Sequence, residues 1–107
     1  MTTFDKREEG FEKKFALDEE QKFKAEARRN KLLGLWVAEK LGLSGDAAND
    51  YAKMAVAAEF AQGGTAAVIR KVMGDLAEKG TAITEAQLRA RMDELMALAV
   101  AQVKAGT

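Results

Sequence analysis

The sequence of 107 residues contains no proline. Proline interrupts helices more strongly than any other residue, so nothing in the chain blocks long helical segments. Alanine, the best helix former, is the commonest residue with 21 copies, against 14 β-branched residues in total. No stretch shows the alternation of apolar and polar residues that is typical of a half-buried strand. These features predict an all-α protein.

Glycine clusters divide the chain into four helical segments, at about residues 4–41, 46–62, 66–79 and 85–105. A continuous first helix of that length would be roughly 57 Å long, which is more than a domain of this size can cover at both ends. The connections are short, as in a helical bundle. We therefore expect a small four-helix bundle with a long first helix.

Local signals place the helix ends. Ser44 and Thr65 are predicted N-caps of the second and third helices. Thr84, followed three residues later by Gln87, predicts a capping box that opens the fourth helix. Gly80 suits the left-handed position that closes the third helix.

Apolar residues at helical spacing indicate the buried faces. In the first segment this face carries Phe23, Ala27, Asn30, Gly34, Val37 and Leu41. The third segment offers Val68, Ile69, Val72, Met73 and Leu76, and the fourth offers Leu88, Met92, Leu95, Met96, Ala99, Val100 and Val103. Gly74 is either a close packing point or a weak spot. The second segment is rich in alanine, and its buried face stays unassigned.

Charge is balanced in total, with 17 basic and 17 acidic side chains, but it is concentrated near the start of the chain. Residues 1–31 carry half of these charges, in nearly equal numbers of each sign. A balanced chain with a pI near 6.3 has no bulk positive field to attract nucleic acid or an anionic membrane. We therefore expect neither nucleic acid nor inserted lipid as a partner.

Three phenylalanines in the charge-dense region, Phe4, Phe11 and Phe15, fall within about 40° of one another on a helical wheel. Their stripe is not continuous with the core face of the first helix. It could pack on its own bundle, but its charge density and terminal position favour a mobile arm over residues 1–18 that folds when a partner covers it. A membrane-surface role is less well supported, because acidic residues neutralise the polar face. Residues 19–107 then form the four-helix domain.

Catalytic chemistry is disfavoured, because histidine and cysteine are both absent. Ser44 is better explained as a helix cap than as a nucleophile. The acidic run of residues 18–20 indicates a solvated face. We therefore expect no enzyme, cofactor or metal site. Arg28, Arg29 and Lys31 form a short basic cluster that is either a solvated flank or a secondary partner contact.

Targeting signals are missing from the N-terminus, which lacks the apolar stretch of a secretory signal. The acidic residues there also argue against an organellar transit peptide. The longest unbroken apolar-and-glycine run, residues 32–38, is far shorter than the roughly 20 residues that span a bilayer. We expect a cytoplasmic protein that is monomeric when free.

Several blocks of this sequence resemble the zeta subunit of alphaproteobacterial F-type ATP synthases. They are MTTFDKREEGFEKKFALDEE at residues 1–20, KAEARRNKLLGLW at 24–36, RKV with DL at 70–76, and MDEL at 92–95. The resemblance covers nearly the whole chain, and the block that ends at Trp36 is its most specific part. It implies a four-helix domain with a mobile N-terminal arm.

The resemblance also implies a function. In this family the arm inserts into a catalytic α/β interface of the soluble head, contacts the γ rotor and blocks rotation in the direction of ATP hydrolysis. Carried over, the arm runs from Thr2 to about Leu17, with Phe4, Phe11 and Phe15 in the aromatic positions and Arg7 among the charges. The protein would lie on the cytoplasmic side of the inner membrane, attached through the ATP synthase. The alternative is a helical assembly or adaptor subunit that does not inhibit.

Overall fold

The computed structural model describes residues 17–61 and 63–106, and these residues form four α-helices and no strand. The helices are α1 (Glu19–Lys40), α2 (Gly45–Phe60), α3 (Gly64–Lys79) and α4 (Glu85–Lys104). This architecture confirms the prediction of a small all-α four-helix bundle. The predicted arm lies outside the described residues.

Helix α1 is the centre of the bundle and packs against α2 on one side and α4 on another. Both neighbours run antiparallel to it. The start of α1 lies beside the end of α2, where the Phe23 and Phe60 rings are 5.1 Å apart. The end of α1 lies beside the first half of α4, where the Arg91 guanidinium is 5.7 Å from the centre of the Trp36 ring.

The α1–α2 interface is built from small residues. Ala52 and Ala55 of α2 are almost completely buried. They identify the buried face of this helix, which the sequence does not assign. They face Gly34 of α1 so closely that a Cβ atom on Gly34 would lie 2.6 Å from the Cα atom of Ala52. The absence of a side chain at Gly34 therefore sets the distance between the two helices.

Larger side chains fill the core between α1, α3 and α4. Leu33 and Val37 project from α1 and are fully buried. The rest of this cluster comes from the predicted faces of the two later helices, namely Val68, Ile69, Val72, Leu76, Leu88, Met92 and Leu95. The periodicity prediction is confirmed for α3 and α4, with Met73, Met96 and Val103 only partly buried.

The capping predictions are confirmed at two positions and wrong at a third. Thr84 and Gln87 form the predicted capping box at the start of α4. Gly80 closes α3 with φ of 84°. Thr65, by contrast, does not cap α3, because the helix already begins at Gly64 and the Thr65 hydroxyl donates to Glu59. Ser44 occupies the N-cap position of α2, but its side chain makes no capping hydrogen bond.

The first helical segment, predicted over about residues 4–41, is described from residue 17, and its helix begins at Glu19 because Asp18 has an extended backbone with ψ of 173°. One prediction of burial is wrong. Phe23 does not belong to the buried face, since 55% of its surface is exposed. Helix α2 ends at Phe60, beside Phe23, and therefore does not extend far enough to cover it. Gly74 is the weak spot of α3, because a Cβ atom there would meet nothing within 4 Å.

A polar contact ties α2 to α3. The Tyr51 hydroxyl donates to Asp75 Oδ2 at 2.7 Å, and Lys71 pairs with the other carboxylate oxygen at 3.2 Å. Partial burial, followed by the hydrogen bond to the Asp75 carboxylate and its charge, raises the pKa of Tyr51 well above its usual value. The folded state therefore keeps this proton at a pH where the unfolded chain releases it.

Replacing Tyr51 by phenylalanine should lower the free energy of unfolding at pH 7 by about 1 kcal/mol. The raised pKa stabilises the fold fully below the unfolded value of about 10, and this contribution declines as the pH rises from there towards the higher pKa of the folded state. The difference between the parent and Tyr51→Phe should therefore shrink above pH 10. Urea unfolding at pH 7 and pH 11 checks this, and an unchanged difference would contradict it.

Candidate functional site

The predicted arm residues Phe4, Arg7, Phe11 and Phe15 lie outside the described residues. The structure does describe the point at which the arm joins the bundle. Asp18 accepts a hydrogen bond from the Gln21 backbone N–H at 2.7 Å, and Gln21 Oε1 accepts one from the Asp18 N–H at 3.3 Å. This reciprocal pair is a capping box that begins α1 at Glu19.

This capping box is not among the sequence predictions, which assign residues 18–20 only to a solvated acidic face. The signal was available, because Asp18 is followed three residues later by Gln21, the same spacing as Thr84 and Gln87. Glu19 and Glu20 in the first turn also favour a helix start, since negative charge there interacts well with the helix dipole.

Leu17, the first residue described, lines an apolar groove between α1 and α4. The floor of this groove includes Met96 and Val100. Lys22, Glu26 and Asp93 also line it and supply charges of both signs. The described part of the chain therefore begins at a half-buried leucine, next to a surface whose charges are mixed.

The structure separates the three residues of the predicted basic cluster. Arg28 Nη1 donates to Gln102 of α4 at 3.1 Å. Arg29 Nη2 lies 3.7 Å from Glu59 of α2, and both of these side chains are only 13% exposed. Lys31 is exposed. Two of the three side chains thus connect helices, and Lys31 has the position best suited to a partner contact.

The buried Asn30 takes part in the same network. Its Oδ1 atom accepts a hydrogen bond from Arg29 Nε at 3.2 Å, and the residue is completely buried. Arg29 therefore ties the middle of α1 to Glu59 of α2, and the buried Asn30 holds the Arg29 side chain from within α1.

Two aromatic side chains on the described surface are exposed and contact each other. Phe23 and Phe60 are 55% and 56% exposed, although their rings contact each other. The helical period places Phe23 on the core face, so the sequence does not predict this pair. The position of Phe60 at the end of its helix was the only available signal that α2 does not extend past Phe23.

Within residues 17–61 and 63–106, no group of three or more acidic side chains is placed to hold a metal ion. No helix of this part of the chain is long and apolar enough to cross a membrane.

The fold and its surface thus define a small four-helix domain whose first helix begins directly after an N-terminal segment of different composition. A model of the family ATPase inhibitor subunit zeta matches residues 1–102. The chain belongs to this family. A solved structure, titled as a solution NMR structure, is 55% identical and has a TM-score of 0.68, covering 79% of this chain and 96% of that one. A search among curated proteins found no match.

Proposed function

We propose that this protein is a regulatory subunit that inhibits ATP hydrolysis by the F-type ATP synthase and is not itself an enzyme. The observation that carries the proposal is the family match, which spans the predicted arm as well as the bundle. The family description names an inhibitor of an ATPase, and the sequence of the arm supplies the features that such a role requires.

The arm acts by folding into the enzyme. As an amphipathic helix it places Phe4, Phe11 and Phe15 in a catalytic α/β interface of the soluble head, with Arg7 among the charged residues around them. Buried aromatic anchors inside a charged rim are typical of a helix that binds in a groove. The inserted helix contacts the γ subunit and blocks its rotation in the hydrolysis direction.

The bundle holds the arm at the enzyme. Its first helix packs at the centre of the bundle and begins directly after the N-cap residue Asp18. This supports separate roles, with residues 1–18 inhibiting the enzyme and residues 19–107 holding them in place. The protein lies on the cytoplasmic side of the inner membrane, attached through the ATP synthase. Lys31, and to a lesser degree Arg28 and Arg29, are the secondary contacts that we propose on the bundle.

Raising the helix propensity of the predicted arm with Gly10→Ala should tighten inhibition. Glycine costs about 1 kcal/mol relative to alanine in a helix, which corresponds to roughly fivefold in affinity if the arm folds on binding. Inhibition of hydrolysis by purified ATP synthase, measured against inhibitor concentration, tests this. Weaker inhibition by the alanine variant would contradict folding on binding.

The second candidate is a helical assembly or adaptor subunit that docks through the bundle and does not control hydrolysis. The exposed Phe23 and Phe60 favour it, because an apolar surface of this kind is typical of a docking site. Hydrolysis by the purified complex, measured with and without the protein, distinguishes the two functions. An adaptor co-purifies with the complex while hydrolysis rates stay equal with and without it.

A further inference from the structure

A second surface of the bundle has the chemistry of a binding groove. It is a concave depression of about 610 Å³ beside α1, and its lining includes Phe23, Lys24, Ala27, Arg28, Lys31 and Val56. Lys31 and Val56 also line an adjoining depression between α1 and α2 that contains Lys53. We call the two together the basic groove.

The charge of the basic groove is one-sided. Each charged side chain that lines it within the described residues is basic: Lys24, Arg28, Lys31 and Lys53. The whole chain is balanced, with 17 charges of each sign, so this surface departs from the rest of the molecule. Glu20 pairs with Lys24 at 3.2 Å, but both side chains are mostly exposed, and such a pair contributes little. The groove therefore favours an acidic partner.

The apolar part of the groove sets a second requirement for its occupant, in addition to negative charge. Phe23 lines the groove, its ring contacts that of Phe60 in a tilted arrangement, and both residues are more than half exposed. Ala27 and Val56 complete an apolar lining. An occupant that only neutralised the lysines would leave these rings in water. The occupant must also present apolar side chains, and a concave site accepts those of a helix better than the flat surface of a bilayer.

We propose that the basic groove binds an acidic amphipathic segment of a partner protein, with apolar side chains against Phe23 and Phe60 and carboxylates beside Lys31 and Lys53. The contact goes beyond the proposed inhibition, because no arm residue takes part in it. It gives the bundle an attachment that does not depend on the state of the arm.

The test is an NMR titration of the full ¹⁵N-labelled chain with a designed 18-residue helical peptide that carries leucines on one face and glutamates on the other. The control peptide has lysine in place of each glutamate. We expect saturable shifts centred on Phe23, Lys31 and Val56 with the acidic peptide, and none with the basic one. Absence of binding at millimolar peptide, or shifts centred elsewhere, would overturn the proposal.

Variants test separately the basic and the apolar side chains of the groove. Lys31→Glu with Lys53→Glu should weaken binding of the acidic peptide by roughly tenfold or more, because attraction at two positions becomes repulsion. Arg70→Glu with Lys79→Glu makes the same change of charge at exposed positions of α3 and should have little effect. Phe23→Ser should weaken binding by a similar factor. Equal affinities for the two charge variants would refute the charge argument.

A membrane is the competing occupant. Sedimentation of the full chain with vesicles of phosphatidylserine and phosphatidylcholine measures it, with pure phosphatidylcholine as the control. We expect no retention on either. Retention on the anionic vesicles that is lost in the Lys31→Glu, Lys53→Glu variant, together with no peptide binding, would replace the proposal with a lipid-binding surface. These results do not depend on ATP hydrolysis, so the inhibitory function can fail without affecting them.

Discussion

Replacing Phe4, Phe11 and Phe15 together by serine should abolish inhibition of ATP hydrolysis by the F-type ATP synthase. Burying a phenylalanine side chain contributes about 1.5–3 kcal/mol. Even if the three contributions are far from additive, a loss of about 4 kcal/mol weakens binding roughly a thousandfold. The measurement is the hydrolysis rate of the purified enzyme at increasing concentrations of the full-length variant.

The matched control keeps the stripe apolar by placing leucine at the same three positions. Leucine retains most of the buried surface and a strong helix propensity, so this variant should still inhibit. Circular dichroism of both variants verifies that the bundle is intact. Full inhibition by the serine variant would refute the inserted-arm mechanism and favour docking through the bundle alone.

Replacing Gly34 by alanine should destabilise the bundle. The new Cβ atom would lie 2.6 Å from the Cα atom of Ala52 and 3.2 Å from the Cβ atom of Ala55. The first of these is backbone and cannot rotate away, so α1 and α2 must move apart. Overpacking of this kind costs about 1–3 kcal/mol, and we expect a loss of about 2 kcal/mol in the free energy of unfolding.

Gly74→Ala makes the same chemical change in α3, where a Cβ atom would meet nothing within 4 Å. It should raise the free energy of unfolding by about 0.5–1 kcal/mol, because alanine is the better helix former. Urea denaturation of both variants therefore gives changes of opposite sign. A stabilising Gly34→Ala would mean that the two helices approach less closely than the structure describes.

Much of the fold could be predicted because helix-capping signals and apolar periodicity are local features of the sequence. The capping box at Thr84 and the cap at Gly80 each follow from residues within about one helical turn, and the faces of α3 and α4 follow from the periodicity within each helix. The tight α1–α2 approach depends instead on Gly34 and Ala52, which lie 18 positions apart, and on how far α2 extends. No single helical pattern contains that information, so the exposure of Phe23 was missed.

In the candidate site, too, some features follow from the sequence and others depend on contacts between helices. The three residues of the basic cluster are neighbours in sequence, but their roles depend on Gln102 and Glu59, which other helices supply. The basic groove likewise combines Lys31 with Lys53 across an interface. The arm is the opposite case, since its stripe is a sequence pattern and its role is a prediction from that pattern and from the family.

The capping box at Asp18 has a mechanical consequence. Because Asp18 has an extended backbone and its side chain accepts a hydrogen bond from the third amide of α1, that of Gln21, helical hydrogen bonding does not run unbroken from the predicted arm into the bundle. A helix formed by the arm is joined to α1 by rotatable single bonds at this residue and not by a rigid rod. If the arm acts as we propose, a force exerted on it by the rotor would reach the bundle through this one extended residue and not along a continuous helix.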